Sequence, residues 1–179
     1  SDNRETYAQI LSFLMVAQPD PDFAESIVQR AQRQLTLDPE WKTYFSLWAK
    51  GIAGRAHAPS PADIDRLLAR LARSDAWWGH LASFGLGTTD YEKLSSLAKS
   101  RGEHAEADFY EAIRRAGVGD MAGARTLLKA VIDSRMVGFY EYQMAQELLL
   151  LDDASLSRAS AAAQDPAAAV EARGSAGEP

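Results

Sequence analysis

Through nearly everything before residue 152, apolar residues recur at three- and four-residue steps, and strand-like alternation is absent. A chain with that period buries its apolar stripes only by laying helix against helix, which confines it to the all-α folds. Proline and glycine fall between the periodic stretches. Asp20-Pro21-Asp22 separates a helix over roughly 5–17 from one over roughly 22–36. Leu37-Asp38-Pro39-Glu40 starts the next, with proline in a first turn, where its missing N–H costs nothing. Ser60 is the expected N-cap of the following helix, with Pro61 at its first position. Asp75 is the expected cap of a helix holding Trp77, Trp78 and Leu81, which must fail near Gly85-Leu86-Gly87. Thr89 or Asp90 caps a helix running to about Ser100. Gly117-Val118-Gly119-Asp120 divides two more, and Met136-Val137-Gly138 precedes the last. The prediction is about nine helices of roughly 11–17 residues, joined by links of about 2–6 residues that force antiparallel neighbours.

One aromatic residue marks an early place in alternate helices. Tyr7, Trp41, Trp77, Phe109 and Phe139 follow one another at separations of 34, 36, 32 and 30 residues. A stack of helical hairpins requires such a marker, because each hairpin leaves an apolar face that a large side chain of the next unit plugs.

The clearest unit runs from Ala107 to Asp133. Asp108-Phe109-Tyr110-Glu111-Ala112 lie on a first helix, Gly119-Asp120 at the turn, and Ala124, Leu128 and Val131 on a second helix. In these residues the chain resembles the tetratricopeptide repeat family, whose unit is about 34 residues long. Asp22-Phe23-Ala24 with Val28 and Ala31 is similar to another second helix. The unit from Trp77 departs from the pattern, with Gly79, Gly85 and Gly87 where helix formers belong. The likeness covers about residues 5–151 and implies a right-handed α-α superhelix of hairpins with a C-terminal capping helix. A second likeness lies in Val137-Gly138-Phe139-Tyr140-Glu141-Tyr142 and the Ala145-Gln146-Glu147-Leu148 that follows. It resembles the closing helix of certain bacterial tetratricopeptide lipoproteins, envelope scaffolds that gather cell-wall enzymes. That likeness implies a periplasmic or outer-membrane-anchored protein, with a cytoplasmic adaptor as the alternative. The chain opens on Ser1-Asp2-Asn3 without an initiator methionine, compatible with removal of a signal peptide or of any other upstream stretch.

Residues 1–152 read as the helical repeat domain. From Asp152 on the character changes: Ala154–Pro179 is rich in alanine and serine, and Leu156 and Val170 are its only large apolar residues. Too little surface can be buried there to offset the ordering entropy, so 153–179 is expected to be a flexible tail.

Net charge of −6 argues against a nucleic-acid partner, because phosphate binding needs a basic surface that releases counterions. The absence of cysteine removes disulfides, zinc–thiolate sites and cysteine nucleophiles. No run approaches the roughly 18 apolar residues of a membrane span. His57, His80 and His104 form no ligand-spaced pair, so no metal or cofactor is expected. Ser96-Leu97-Ala98-Lys99 matches a serine with an amine one helical turn away, but the companion elements of such hydrolases are missing. A helical enzyme using His80 or Ser96 is therefore the weakest of the alternatives. Asp63 with Asp65, Glu103 with Glu106, and Asp152 with Asp153 read as solvated faces or first-turn charges. Arg66, Arg70 and Arg73 form one basic stripe, either pairing with nearby acids or docking an acidic partner.

In the tetratricopeptide arrangement the first helices line a concave wall, and groove positions follow each plugging aromatic at fixed offsets. Carried onto this chain, the resemblance implies a partner-binding set of Lys42, Ser46, Lys50, Trp78, Tyr110, Arg114, Tyr140 and Met144, flanked by Ala49 and Glu147. Lys42, Lys50 and Arg114 would meet acidic groups or a peptide carboxylate, and the aromatic rings would supply apolar contact area. The function expected is a non-catalytic adaptor or scaffold that binds a protein segment. The alternative is a structural subunit that self-associates or packs into a larger assembly, and the sequence leaves the oligomeric state open.

Overall fold

The computed structural model describes residues 3–34 and 36–156, and no strand occurs among them. Ten helices follow in order: α1 (Asn3–Val16), α2 (Pro21–Gln32), α3 (Pro39–Arg55), α4 (Ala62–Leu71), α5 (Trp77–Gly85), α6 (Tyr91–Leu97), α7 (Arg101–Gly117), α8 (Met121–Asp133), α9 (Tyr140–Leu149) and the single turn α10 (Asp153–Leu156). The fold is all-α, as the periodicity requires. No described helix is long and apolar enough to cross a membrane.

Local chemistry sets most of the boundaries. Asp20, Asp38, Asp90 and Asp120 each accept a hydrogen bond from the backbone N–H three residues on, at 2.8–3.0 Å. Ser100 and Glu103 close a reciprocal capping box that starts α7. Gly87 and Gly119 adopt φ of +75° and +87° just beyond α5 and α7, the left-handed conformation that ends a helix cheaply only at glycine. Two expected caps are corrected. α4 begins after Pro61, and the Ser60 hydroxyl turns away to donate to Asp65 at 2.8 Å. α5 begins after Ala76, with no side-chain cap from Asp75.

The start of α5 is tight for another reason. A Cβ on Gly79 would lie 2.1 Å from the Ser74 carbonyl oxygen and 2.8 Å from its carbon, both backbone atoms that cannot swing aside. Gly79→Ala is therefore expected to cost about 2 kcal/mol or more and to lower Tm by several degrees, against the usual gain from alanine in a helix. Differential scanning calorimetry that found it as stable as the native chain would contradict this close approach.

The first helices of the hairpins pack on one another as a ring: α1 on α3, α3 on α7, α7 on α9, and α9 back on α1. α2 packs against α1 and α3, α4 against α3 and α5, and α8 against α7 and α9, while α6 joins α5 to α7. α3 is thus the axis of the molecule. Phe45, Trp48 and Ile52 on it are fully buried, together with Leu11, Met15 and Phe109 from its neighbours. Each such side chain contributes roughly 1.5–3 kcal/mol of transfer free energy. The five aromatic markers sit at differing depths. Phe109 is fully buried, and Tyr7, Trp41, Trp77 and Phe139 are half-buried. The four half-buried ones touch a neighbouring element: Tyr7 meets the Phe45 ring edge-on, Trp41 meets Tyr140, the Trp77 indole bonds Glu106, and the Phe139 ring lies over Gly102.

Residues 153–156 are not part of a flexible tail, because α10 belongs to the packed body. Leu156 is fully buried, and the carbonyls of Ser155 and Leu156 accept from the Arg55 guanidinium at 2.7 and 3.0 Å. Arg125 makes a second clamp, donating to the Leu149 and Leu151 carbonyls and pairing with Asp153 at 2.9 Å. The rest of the expected tail, 157–179, lies outside the described residues.

Candidate functional site

Closure of the ring changes the fate of the expected groove residues. Ser46 faces the interior, with its hydroxyl donating to the Lys42 carbonyl at 2.7 Å, and Ala49 is buried beside it. Tyr110 and Met144 are also buried, at 5% and 2% exposure, so neither they nor Ser46 presents a side chain to a partner as a concave wall would. Trp78 and Tyr140 are half-buried. The physical cause is that α7 and α9 occupy the space in front of α3.

The remaining residues divide among three separate depressions. Lys50, Tyr110 and Arg114 meet at an apolar slot between α3, α5 and α7, Lys42 and Trp78 at a groove beside α4, and Tyr140, Met144 and Glu147 at a groove between α1 and α9.

The slot has a volume of about 240 Å3, and its walls are Leu47, Gly51, Gly54, Phe84, Gly85, Tyr110, Ile113 and Gly117. The glycines make it possible. A Cβ on Gly117 would lie 3.4 Å from backbone atoms of Gly54, so α3 and α7 approach backbone to backbone there. Gly54 itself faces open space. Val118, 71% exposed, stands at the mouth. Two cations flank the opening, each oriented by an acid. The Lys50 ammonium meets Asp65 at 2.8 Å, and Asp65 is also held by Ser60. Arg114 grips Glu111 through two bonds of 2.7 and 2.8 Å, and Arg115 binds the same carboxylate at 2.8 Å. Burial raises the Glu111 pKa, but the two guanidinium groups outweigh it, and the net shift is downward.

No histidine, serine or carboxylate lines the slot. It can therefore seat an apolar side chain and present cations to an anion, but it holds no nucleophile and base within reach of one another. Ser96 offers none elsewhere: α6 ends at Leu97 and Ala98 is extended, so Lys99 is not stacked one turn above it. The Ser96 hydroxyl donates instead to the Lys93 carbonyl at 2.7 Å. His80 lies half-buried beside the Trp77 ring, and His104 is exposed. Among the described residues no group of histidines and carboxylates could hold a metal ion.

A largely buried polar cluster lies behind the slot, between α3, α5, α7 and α9. Glu106 accepts from the Trp77 indole at 2.5 Å, and the Tyr44 hydroxyl stands 2.9 Å from its other oxygen and 3.0 Å from Glu40. Glu141 accepts from the Tyr110 hydroxyl at 2.7 Å and from the Trp48 indole at 3.3 Å. Both carboxyls are buried, and no ion pair reaches either among the described residues. Burial and then the neighbouring Glu141 charge push Glu106 up to about 8, and burial likewise raises Glu141. One hydroxyl proton cannot serve two carboxylates, so a proton on Glu106 that points at Tyr44 completes the network. The sequence reads Glu106 with Glu103 as a solvated face or first-turn charges and Glu141 only as part of an aromatic motif, and burial corrects both. The available signal was their setting, Glu106 between Ala105 and Ala107 and Glu141 between two tyrosines.

Compared with family models, with curated proteins and with solved structures, the chain matches none.

Proposed function

We propose that this is a non-catalytic protein-interaction module, a degenerate tetratricopeptide-like array wound tightly enough for its last first-helix to meet its first. The succession of hairpins supports that reading, as do the aromatic residues at hairpin interfaces and the buried Ala124, Leu128 and Val131 of α8. The partner is a protein segment that seats one apolar side chain between Gly54, Phe84 and Ile113 and turns a carboxylate toward Lys50 or Arg114. The observation that carries this is the preformed apolar slot, kept open by glycines and flanked by oriented cations, with an exposed valine at its mouth.

The test is selection of displayed random peptides on the full chain. Enriched sequences are expected to place a bulky apolar residue next to Asp, Glu or a free C-terminus. Val118→Asp and Arg114→Ala, both at exposed positions, should each weaken the selected peptides by about tenfold or more. Selected peptides that bind both variants as well as the native chain would remove the slot from consideration. Truncating Tyr110 is a poor test, since its hydroxyl belongs to the buried network and its loss would report on folding.

Self-association is the second reading, favoured by Phe13, Val137 and Leu150, which are 62%, 64% and 86% exposed. Light scattering that gives one monomer mass across a wide concentration range would set it aside.

A further inference from the structure

The second depression carries a different chemistry. It is a groove of about 510 Å3 beside α4, with Leu67, Leu71 and Trp78 as its apolar surface and Lys42, Arg70 and Arg73 around them. No carboxylate lines it. Lys42, Arg70 and Arg73 make no ion pair among the described residues, so no acid of the fold already meets their charges. The expected basic stripe is thus divided: Arg66 turns to Asp63, while Arg70, in the last turn of α4, and Arg73, just beyond its end, line the groove with Lys42 from α3. The Gln32 amide nitrogen at the same groove is buried and has no hydrogen-bond partner among the described residues.

We infer that this groove docks an acidic segment of another protein, in which two or more Asp or Glu residues flank an apolar one. Guanidinium groups match carboxylates by shape as well as charge. The apolar strip between the cations receives the intervening side chain. A short acidic segment is favoured over a nucleic acid because the chain carries a net charge of −6, which repels a polyanion extending past the groove. This site is separate from the slot between α3, α5 and α7, so the two together would let one module hold two segments.

The experiment is fluorescence anisotropy on the full chain with three labelled probes. They are a short synthetic peptide of glutamate interspersed with leucine, the same peptide with glutamine for glutamate, and a thymidine oligonucleotide of similar length. The glutamate peptide is expected to bind and to weaken steadily as salt rises from about 50 to about 300 mM. The glutamine peptide should be at least about tenfold weaker, and so should the glutamate peptide on Arg70→Glu/Arg73→Glu or on Lys42→Glu. Binding of the glutamate peptide that Val118→Asp removes belongs to the slot, whereas the groove's share survives Val118→Asp and is lost on the charge reversals, which separates the two sites. The inference is overturned if the glutamate peptide does not bind, if the glutamine peptide binds equally, or if the oligonucleotide binds as tightly. It is also overturned if both charge reversals, folded by circular dichroism, keep native affinity.

Discussion

Raising the pH from about 5 to about 8 is expected to weaken this fold, by as much as ~4 kcal/mol from Glu106 alone. Its carboxyl is raised from 4.5 to about 8 in the folded chain, by burial first and by the Glu141 charge second. Below the unfolded pKa both states hold the proton, and the stability is fully present. As pH climbs, the unfolded chain releases its proton while the folded chain keeps it, so unfolding gains until the folded pKa is passed. Glu141, also raised by burial, contributes with the same sign, and so does Asp108, raised chiefly by burial. Glu111, lowered on balance, acts at the other end: the stability it supplies is lost as pH falls below the usual carboxylate range. Glu106→Gln should flatten the alkaline decline. Its amide oxygen can accept from Trp77, while its NH2 donates to Tyr44, which then serves Glu40 alone. Glu141→Gln should do the same, keeping an oxygen for Tyr110 and Trp48. Tm measured by circular dichroism at half-unit pH steps decides the matter. A native curve flat or rising across this window, unmoved by either amide, would mean that the two carboxyls are ionised in the fold.

Arg55→Ala is the second large effect, expected to cost about 3–5 kcal/mol. Arg55 is fully buried at the end of α3. Its guanidinium donates to the carbonyls of Leu156 at 3.0 Å, Ser155 at 2.7 Å and Val16 at 3.4 Å. Val16 ends α1 and Leu156 ends α10, so the positive charge sits where helix C-termini gather partial negative charge. Truncation leaves a cavity in the core and strips charge-assisted donors from three carbonyls. Arg55→Lys should recover only part of the loss, because one ammonium cannot reproduce the planar fork. Amide exchange should rise first around residues 153–156, where the Ser155 and Leu156 carbonyls lose their donor. An Arg55→Ala protein within about 1 kcal/mol of native would mean that solvent satisfies those carbonyls without penalty.

Two different kinds of information shaped the molecule. The breaks holding Asp20, Asp38 and Asp120 were readable from their prolines and glycines, and the cap at Thr89 or Asp90 from residue type, because such signals act within a few residues; in the structure all four aspartates cap, and Gly87 and Gly119 take the left-handed turn. Ser60 and Asp75 misled for the same reason in reverse: each is a good cap by type, but Ser60 found Asp65 and α5 started after Ala76. Lys50 and Arg114 were singled out from a repeat offset and do meet, at a slot of another shape, because α3 crosses α7 at Gly54 and Gly117.

What the amino-acid order determined by itself was the class of structure, all-α, and most of the places where one helix gives way to the next; the expected length of roughly 11–17 residues was too long for α4, α5, α6 and α9, which have 10, 9, 7 and 10. Helical period, capping and breaking act within a few residues, so they are written in the local text. The tertiary structure alone decided that α9 returns to α1, that Ser46, Tyr110 and Met144 turn inward, and that Glu106 and Glu141 lose their water. Those outcomes depend on contacts between segments many tens of residues apart, where burial is decided by what another helix covers and leaves no period in the covered one.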